Sequence, residues 1–237
     1  MKLNIKENAD HSFYFALMNY HSSLEIESAR KEYDQGIISE TKGNTITFEI
    51  NGYHLPPNKY LIKISLQLLF QSFELYLKEC ICTKLGEKKL WINNNKTIGL
   101  AKSIELYNSF AKIKLEKEIL LKYKEERNRI EHLDFKLNIE NVERIIRYLA
   151  TEIWILFKSE FNENLIEYFY WNKWNNNEVV FSDDIIKLIS DSKRMLALLE
   201  ILLPENDKYL CAYCGFLSVQ FENKECLICK REMEILV

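Results

Sequence analysis

The chain has 237 residues, 47% of them hydrophobic and 13% aromatic, enough to bury a sizeable core in one large domain or two smaller ones. Six glycines and three prolines are few for this length and argue against a turn-rich sheet architecture, so the expected class is mostly α. A net charge of −3 carries no global polybasic signature, which confines any nucleic-acid binding to a local patch, and the longest apolar runs are broken by charge well short of a membrane span.

The opening MKLNIKENADH is not followed by the apolar core of a signal peptide, and a cytoplasmic location without membrane contact is expected. Phe13, Leu17, Tyr20 and Leu24, at spacings of four, three and four, predict an amphipathic helix ending near Gly36. In GIISETKGNTITFEINGYHLPP, Ile46, Phe48 and Ile50 alternate with Thr47 and Glu49 between turn residues, which reads as a short β-hairpin or edge strand inserted between helices. From Asn58, a candidate N-cap, apolar residues keep helical spacing to Gly86, which sits where a helix C′ glycine belongs; a long, largely buried helix follows. Cys80 and Cys82 lie in it about 200° apart around the axis, so they cannot share a metal ion and read as packing residues. Glu74 reads as a surface or core-edge carboxylate.

The stretch GEKKLWINNNKT is expected to be a loop, leading to a shorter helix over GLAKSIELYNSF and another that begins near Leu115. Asn138 is the candidate cap of a long helix over IENVERIIRYLATEIWILFKSEF, and Ser182 caps a last one over DDIIKLISDSKRMLALLEILL. Between them, the aromatic-dense LIEYFYWNKWNNN can serve as core, interface or base-stacking surface. The predicted organisation is an N-terminal helix and hairpin over 1–57, a helical bundle over 58–205 and a small cysteine module over 206–237.

That module holds Cys211, Cys214, Cys226 and Cys229 as C-x2-C-x11-C-x2-C. Each pair has the spacing at which a tight turn aims two thiolates at one metal, and the intervening residues are long enough for a hairpin that joins the pairs. Four thiolates fill a tetrahedral Zn²⁺ and leave no position for substrate, so the metal is read as structural zinc; an iron centre of rubredoxin type would use the same ligands, and a disulfide alternative needs an oxidising compartment. The segment resembles the zinc ribbons. Its lysines and arginine are balanced by glutamates, so domain capping or partner docking fits as well as contact with nucleic acid.

The helix containing KYKEERNRIEH places Ile119, Tyr123, Ile130, Leu133 and Leu137 within about 80° of arc, which predicts its core face, with Arg127 at the edge. Asn128 and His132 fall on the opposite face, flanked by Leu121 and Phe135, as a surface that meets a second helix or subunit requires. A plainer account is a solvated helix held by the i,i+4 pairs Glu125–Arg129 and Arg127–Glu131. Residues 112–147 hold ten Lys or Arg against eight acids, only a mild basic bias.

Arg127-Asn128-x3-His132 on a helix in the latter half of a helical domain resembles the HEPN family, whose bundles carry R-x4-6-H, commonly with Asn, Asp or His after the Arg. FQSFELYLKECI and NVERIIRYLATEIWILF look like the elements that bracket the motif there, and the likeness covers about 58–203. The resemblance implies an up-and-down helical bundle, a homodimer with two motifs facing one cleft, and a metal-independent endoribonuclease in which Arg127, Asn128 and His132 are catalytic. It further implies RNA as substrate, an antitoxin or other neutralising protein as partner, and a role in toxin–antitoxin or antiphage growth arrest. Asp134 stands two beyond His132, where some toxin subgroups have Tyr. Non-catalytic HEPN adaptors, which bind a protein or nucleotide through the same cleft, are the alternative.

Overall fold

The computed structural model describes residues 4–34, 49–50, 53–54, 58–93, 96–132, 138–161, 209–211 and 217–219, with Lys224 and Cys226. The described chain is mostly helical, with small two-stranded antiparallel sheets, and forms two compact units: residues 1–109 with 116–145, and residues 110–115 with 146–237.

In the first unit, α1 (Ile5–Asp34) packs along α2 (Asn58–Leu85). Asn4 caps α1, accepting from the Glu7 backbone N–H at 3.1 Å while its own amide donates to the Glu7 carboxylate at 2.6 Å. Ser65 Oγ donates to the Ala16 carbonyl at 2.8 Å and Ser72 Oγ to the Ala9 carbonyl at 3.0 Å. As position rises along one helix it falls along the other, so the pair is antiparallel. Small residues seven apart on both helices let the backbones approach closely enough for a serine to reach across. Tyr76 extends the seam by donating to Asp10 Oδ1 at 2.6 Å. Phe13, Leu17 and Tyr20 are buried as expected, but Leu24 is 36% exposed; the seven-residue seam turns Ser23 inward at that level and Leu24 outward.

The expected N-terminal hairpin is present, with β1 (Glu49–Ile50) antiparallel to β2 (Tyr53–His54) and Ile50 opposite Tyr53. The helix expected ahead of it lies in the same unit as α2. Gly86 ends α2 at φ +88°, with its N–H bonded to the Cys82 carbonyl at 2.9 Å. The stretch expected as a loop is structured: a 3-10 turn (Glu87–Leu90) leads into β3 (Trp91–Asn93), which pairs with β4 (Lys96–Thr97). Leu90 and Ile98 are buried at its base, where the Ile98 N–H bonds the Leu90 carbonyl at 2.8 Å, and Lys78 Nζ reaches Thr97 Oγ1 at 3.2 Å. Only three described strand residues precede the turn, too short a run for an alternation pattern to register in the sequence.

Next come α3 (Leu100–Phe110) and α4 (Lys117–His132), joined by the ion pair of Lys117 with Glu105, whose carboxyl is held below its usual range by hydrogen bonds from Lys117 and Lys102. Asn138 caps α5 (Ile139–Leu156) as expected, accepting from the Asn141 N–H at 3.2 Å.

In the second unit, every residue from Leu149 to the end of α5 is buried, Glu152 included, and so is Phe157 immediately after it. A π-helical turn (Phe157–Phe161) follows, and β5 (Tyr209–Leu210) pairs with β6 (Leu217–Val219). The expected helix from Ser182 and the aromatic segment before it lie outside the described residues.

At Gly86 an added Cβ would meet nothing within 4 Å, so the cost of a side chain there is backbone strain alone. Gly86→Ala should lower the unfolding free energy by about 1–3 kcal/mol, read as a lower denaturation midpoint at unchanged m.

Candidate functional site

The sequence of α4 aims its charged stems at α2. Arg127 stacks its guanidinium over the buried ring of Phe70, 5.5 Å from the centroid, and donates from Nη1 to Glu131 Oε2 at 2.9 Å. Lys124 Nζ lies 3.5 Å from Glu74 Oε1, and Lys63 Nζ donates to the Glu131 carbonyl at 3.3 Å, at the α4 C-terminus where a cation is favoured. Glu74 is thereby the core-edge carboxylate expected, and the predicted i,i+4 pair of Arg127 with Glu131 is made.

The core face of α4 differs from expectation. Ile119, Tyr123 and Ile130 are all half-buried, whereas Leu120 is wholly buried. Leu120 shares an arc with Lys124, Arg127 and Glu131 that is centred about 110° from Ile119 rather than near it. The aliphatic stems of a lysine and an arginine make that contact, and counting apolar residues does not register them.

Arg127 and Glu131 form one wall of a groove of about 430 Å³ whose other wall is a stripe of α2: Ile64, Gln67, Leu68, Gln71, Glu74, Leu75 and Lys78. The Arg127 side chain is 20% exposed, and its Nε is buried with no hydrogen-bond acceptor among the described residues. One guanidinium edge is therefore committed to Glu131 and the rest is held against an aromatic face. Such an arginine is oriented before any anion arrives, with little rotamer freedom left to lose.

Asn128 is half-buried, about 100° around the helix from Arg127, and does not line the groove. His132 is the last residue of α4; its side chain, with Leu133, Phe135 and Leu137, lies outside the described residues. Burial pushes the phenol of Tyr123, one turn before Arg127, above its ordinary value; Arg144 opposes this, and Glu126 and Glu116 add to it.

The cysteine module is described in part. Cys211 and Cys226, one from each C-x2-C pair, are wholly buried, while Cys214 and Cys229 lie outside the described residues. Val219 of β6 pairs with Tyr209 on one side and with Cys226 on the other, so three short segments lie side by side and carry both cysteines. Lys224, two residues before Cys226, adopts φ +54°. Among the described residues no three His, Cys, Asp or Glu gather as a metal site. In α2, Cys80 is buried and Cys82 half-buried; burial raises the Cys82 thiol pKa, and Glu79 and Glu87 raise it further.

Two features passed unnoticed in the sequence. The β3–β4 hairpin holds Trp91 and Ile92 at 41% and 60% exposure, and Glu152 carries a carboxylate into an apolar helix. An asparagine run between Trp-Ile and Lys-Thr is the signal for the first; nothing distinguishes Glu152 from an ordinary helix glutamate. No protein-family model, curated protein or solved structure matches the chain. Among the described residues no helix is long and apolar enough to cross a membrane.

Glu131→Gln should change the unfolding free energy by less than about 0.5 kcal/mol, because the pair is half-exposed and local. Phe70→Ala, which removes the floor beneath Arg127, should cost about 3–5 kcal/mol in the same denaturant titration.

Proposed function

We propose that the chain is a HEPN-type endoribonuclease that cleaves RNA at a site shared by two copies, with Arg127, Asn128 and His132 as its catalytic residues. The observation that carries this reading is the position of Arg127: an arginine pre-oriented on Phe70, at the lip of an open groove, on the helix that also bears Asn128 and His132. A scissile phosphate would exchange with Glu131 for the guanidinium and gain a charge-assisted, bidentate contact.

One copy of His132 takes the 2′-OH proton as the 2′-oxygen attacks phosphorus, and the other gives a proton to the departing 5′-oxygen. An imidazole titrates near neutrality and can hold either state. The products are a 2′,3′-cyclic phosphate and a 5′-hydroxyl. Arg127 offsets the charge that grows on the non-bridging oxygens, and Asn128 orients the phosphate or the imidazole. DNA, which lacks the 2′-OH, is not cut. A toxin or antiphage effector neutralised by a protein partner is the biological setting that fits a cytoplasmic enzyme of this kind.

The same Arg127–Glu131 pair favours a second reading, a HEPN adaptor that binds a protein or nucleotide without hydrolysis, since a carboxylate already occupies one edge of the arginine.

For the cysteine module we propose structural zinc held by Cys211, Cys214, Cys226 and Cys229. Support comes from Cys211 and Cys226, both wholly buried on adjacent segments, and from the softness of a four-thiolate donor set. The metal would contribute folding energy to the ribbon and no step of the reaction.

Wild type should cut total RNA in the presence of chelator, whereas Arg127→Ala and His132→Ala should each lose at least about 100-fold in rate. An inert wild type that nevertheless binds nucleotides would favour the adaptor. Elemental analysis should find one zinc per chain in wild type and a loss of metal in Cys226→Ser; metal-free wild type would sink the ribbon assignment.

A further inference from the structure

We infer that the β3–β4 hairpin is a docking ribbon for single-stranded RNA, separate from the α2–α4 groove. Its base is fixed: Leu90 and Ile98 are buried, the Ile98 N–H closes on the Leu90 carbonyl, and Lys78 ties Thr97 to α2. Beyond that anchor every described residue of β3 is exposed. Trp91, at 41% exposure, keeps enough indole surface free for a base to stack on, and Ile92 stands beside it at 60%.

The charge around the ribbon runs against that of the whole protein. Residues 84–97 carry four lysines and one glutamate in a chain whose net charge is −3. Lys84, Lys88, Lys89 and Lys96 are exposed, and no ion pair among the described residues engages them. Cations that pair with no acid among the described residues, close in sequence to a half-exposed indole, suit a flexible polyanion with exposed ring faces: lysines take phosphates and tryptophan takes a base. An anionic membrane offers the charge but not the geometry. The far end of the ribbon presents the exposed polar pair Asn93 and Lys96, which would have to enter the bilayer ahead of Trp91 and Ile92.

This inference shares with the proposed nuclease only the class of substrate. The test uses the full chain and a fluorescein-labelled, fully 2′-O-methylated RNA of about twelve nucleotides, which cannot undergo 2′-OH attack, read by anisotropy across a salt series. Trp91→Ala should raise Kd about tenfold, and Trp91→Phe, which keeps a ring, should retain most of the affinity. The triple variant Lys88→Ala, Lys89→Ala, Lys96→Ala should reduce the magnitude of the log Kd against log salt slope by about 2. All these positions are exposed, and each variant should keep the wild-type circular dichroism spectrum. Unchanged Kd in Trp91→Ala would overturn the inference. So would loss of binding to equimolar phosphatidylserine–phosphatidylcholine vesicles in the variants while RNA affinity holds. Wild type that binds the probe through Trp91 yet cuts no RNA would refute the nuclease and leave the ribbon standing.

Discussion

The antiparallel seam between α1 and α2 is the contact from which the first unit is built. Serine hydroxyls at Ser65 and Ser72 donate to backbone carbonyls of the opposite helix, opposite Ala16 and Ala9, and the Tyr76 hydroxyl finds Asp10. Each such bond contributes only about 0.5–1.5 kcal/mol net, but leaving any of these buried groups unmatched would cost more, so the register of the two helices is specified by polar atoms within an otherwise apolar contact.

With one face of α2 committed to α1, the others are determined by rotation. Leu66, Phe73, Leu77 and Cys80 turn into the core, and Phe70 sits beneath α4. The stripe from Ile64 to Lys78 is left facing the groove. The pose of Arg127 follows from this. It is held by a ring that the α1–α2 seam positions and by a carboxylate one turn along its own helix, and an anion that enters the groove competes only with the second.

At its C-terminal end α2 stops because Gly86 takes a conformation closed to other residues, and the chain reverses into the β3–β4 hairpin. The hairpin returns along α2 as far as Lys78, which also lines the groove. The two surfaces on which the functional reading rests are thus both carried by α2, one on its flank and one beyond its C-terminus. A two-stranded ribbon is marginal alone, and its buried base residues supply what its own hydrogen bonds do not.

Read alone, the sequence determined what depends on neighbours along the chain: the helical class, the limits of α2 with Gly86 at its end, the Asn138 cap, the β1–β2 hairpin and the pairing of Arg127 with Glu131. Those features follow from backbone freedom, capping and i,i+4 spacing, all of which act within one turn or one hairpin. The tertiary structure alone decided which arc of α4 faces α2, because the contact is made by the stems of Lys124 and Arg127 and by a ring 57 positions away in the chain. It also decided that Leu24 turns outward, that Glu152 is enclosed, and that a stretch resembling a loop is an anchored ribbon. The first two are settled by residues distant in sequence; the ribbon leaves only a short asparagine run as its local trace, and its tie to α2 through Lys78 lies outside that run.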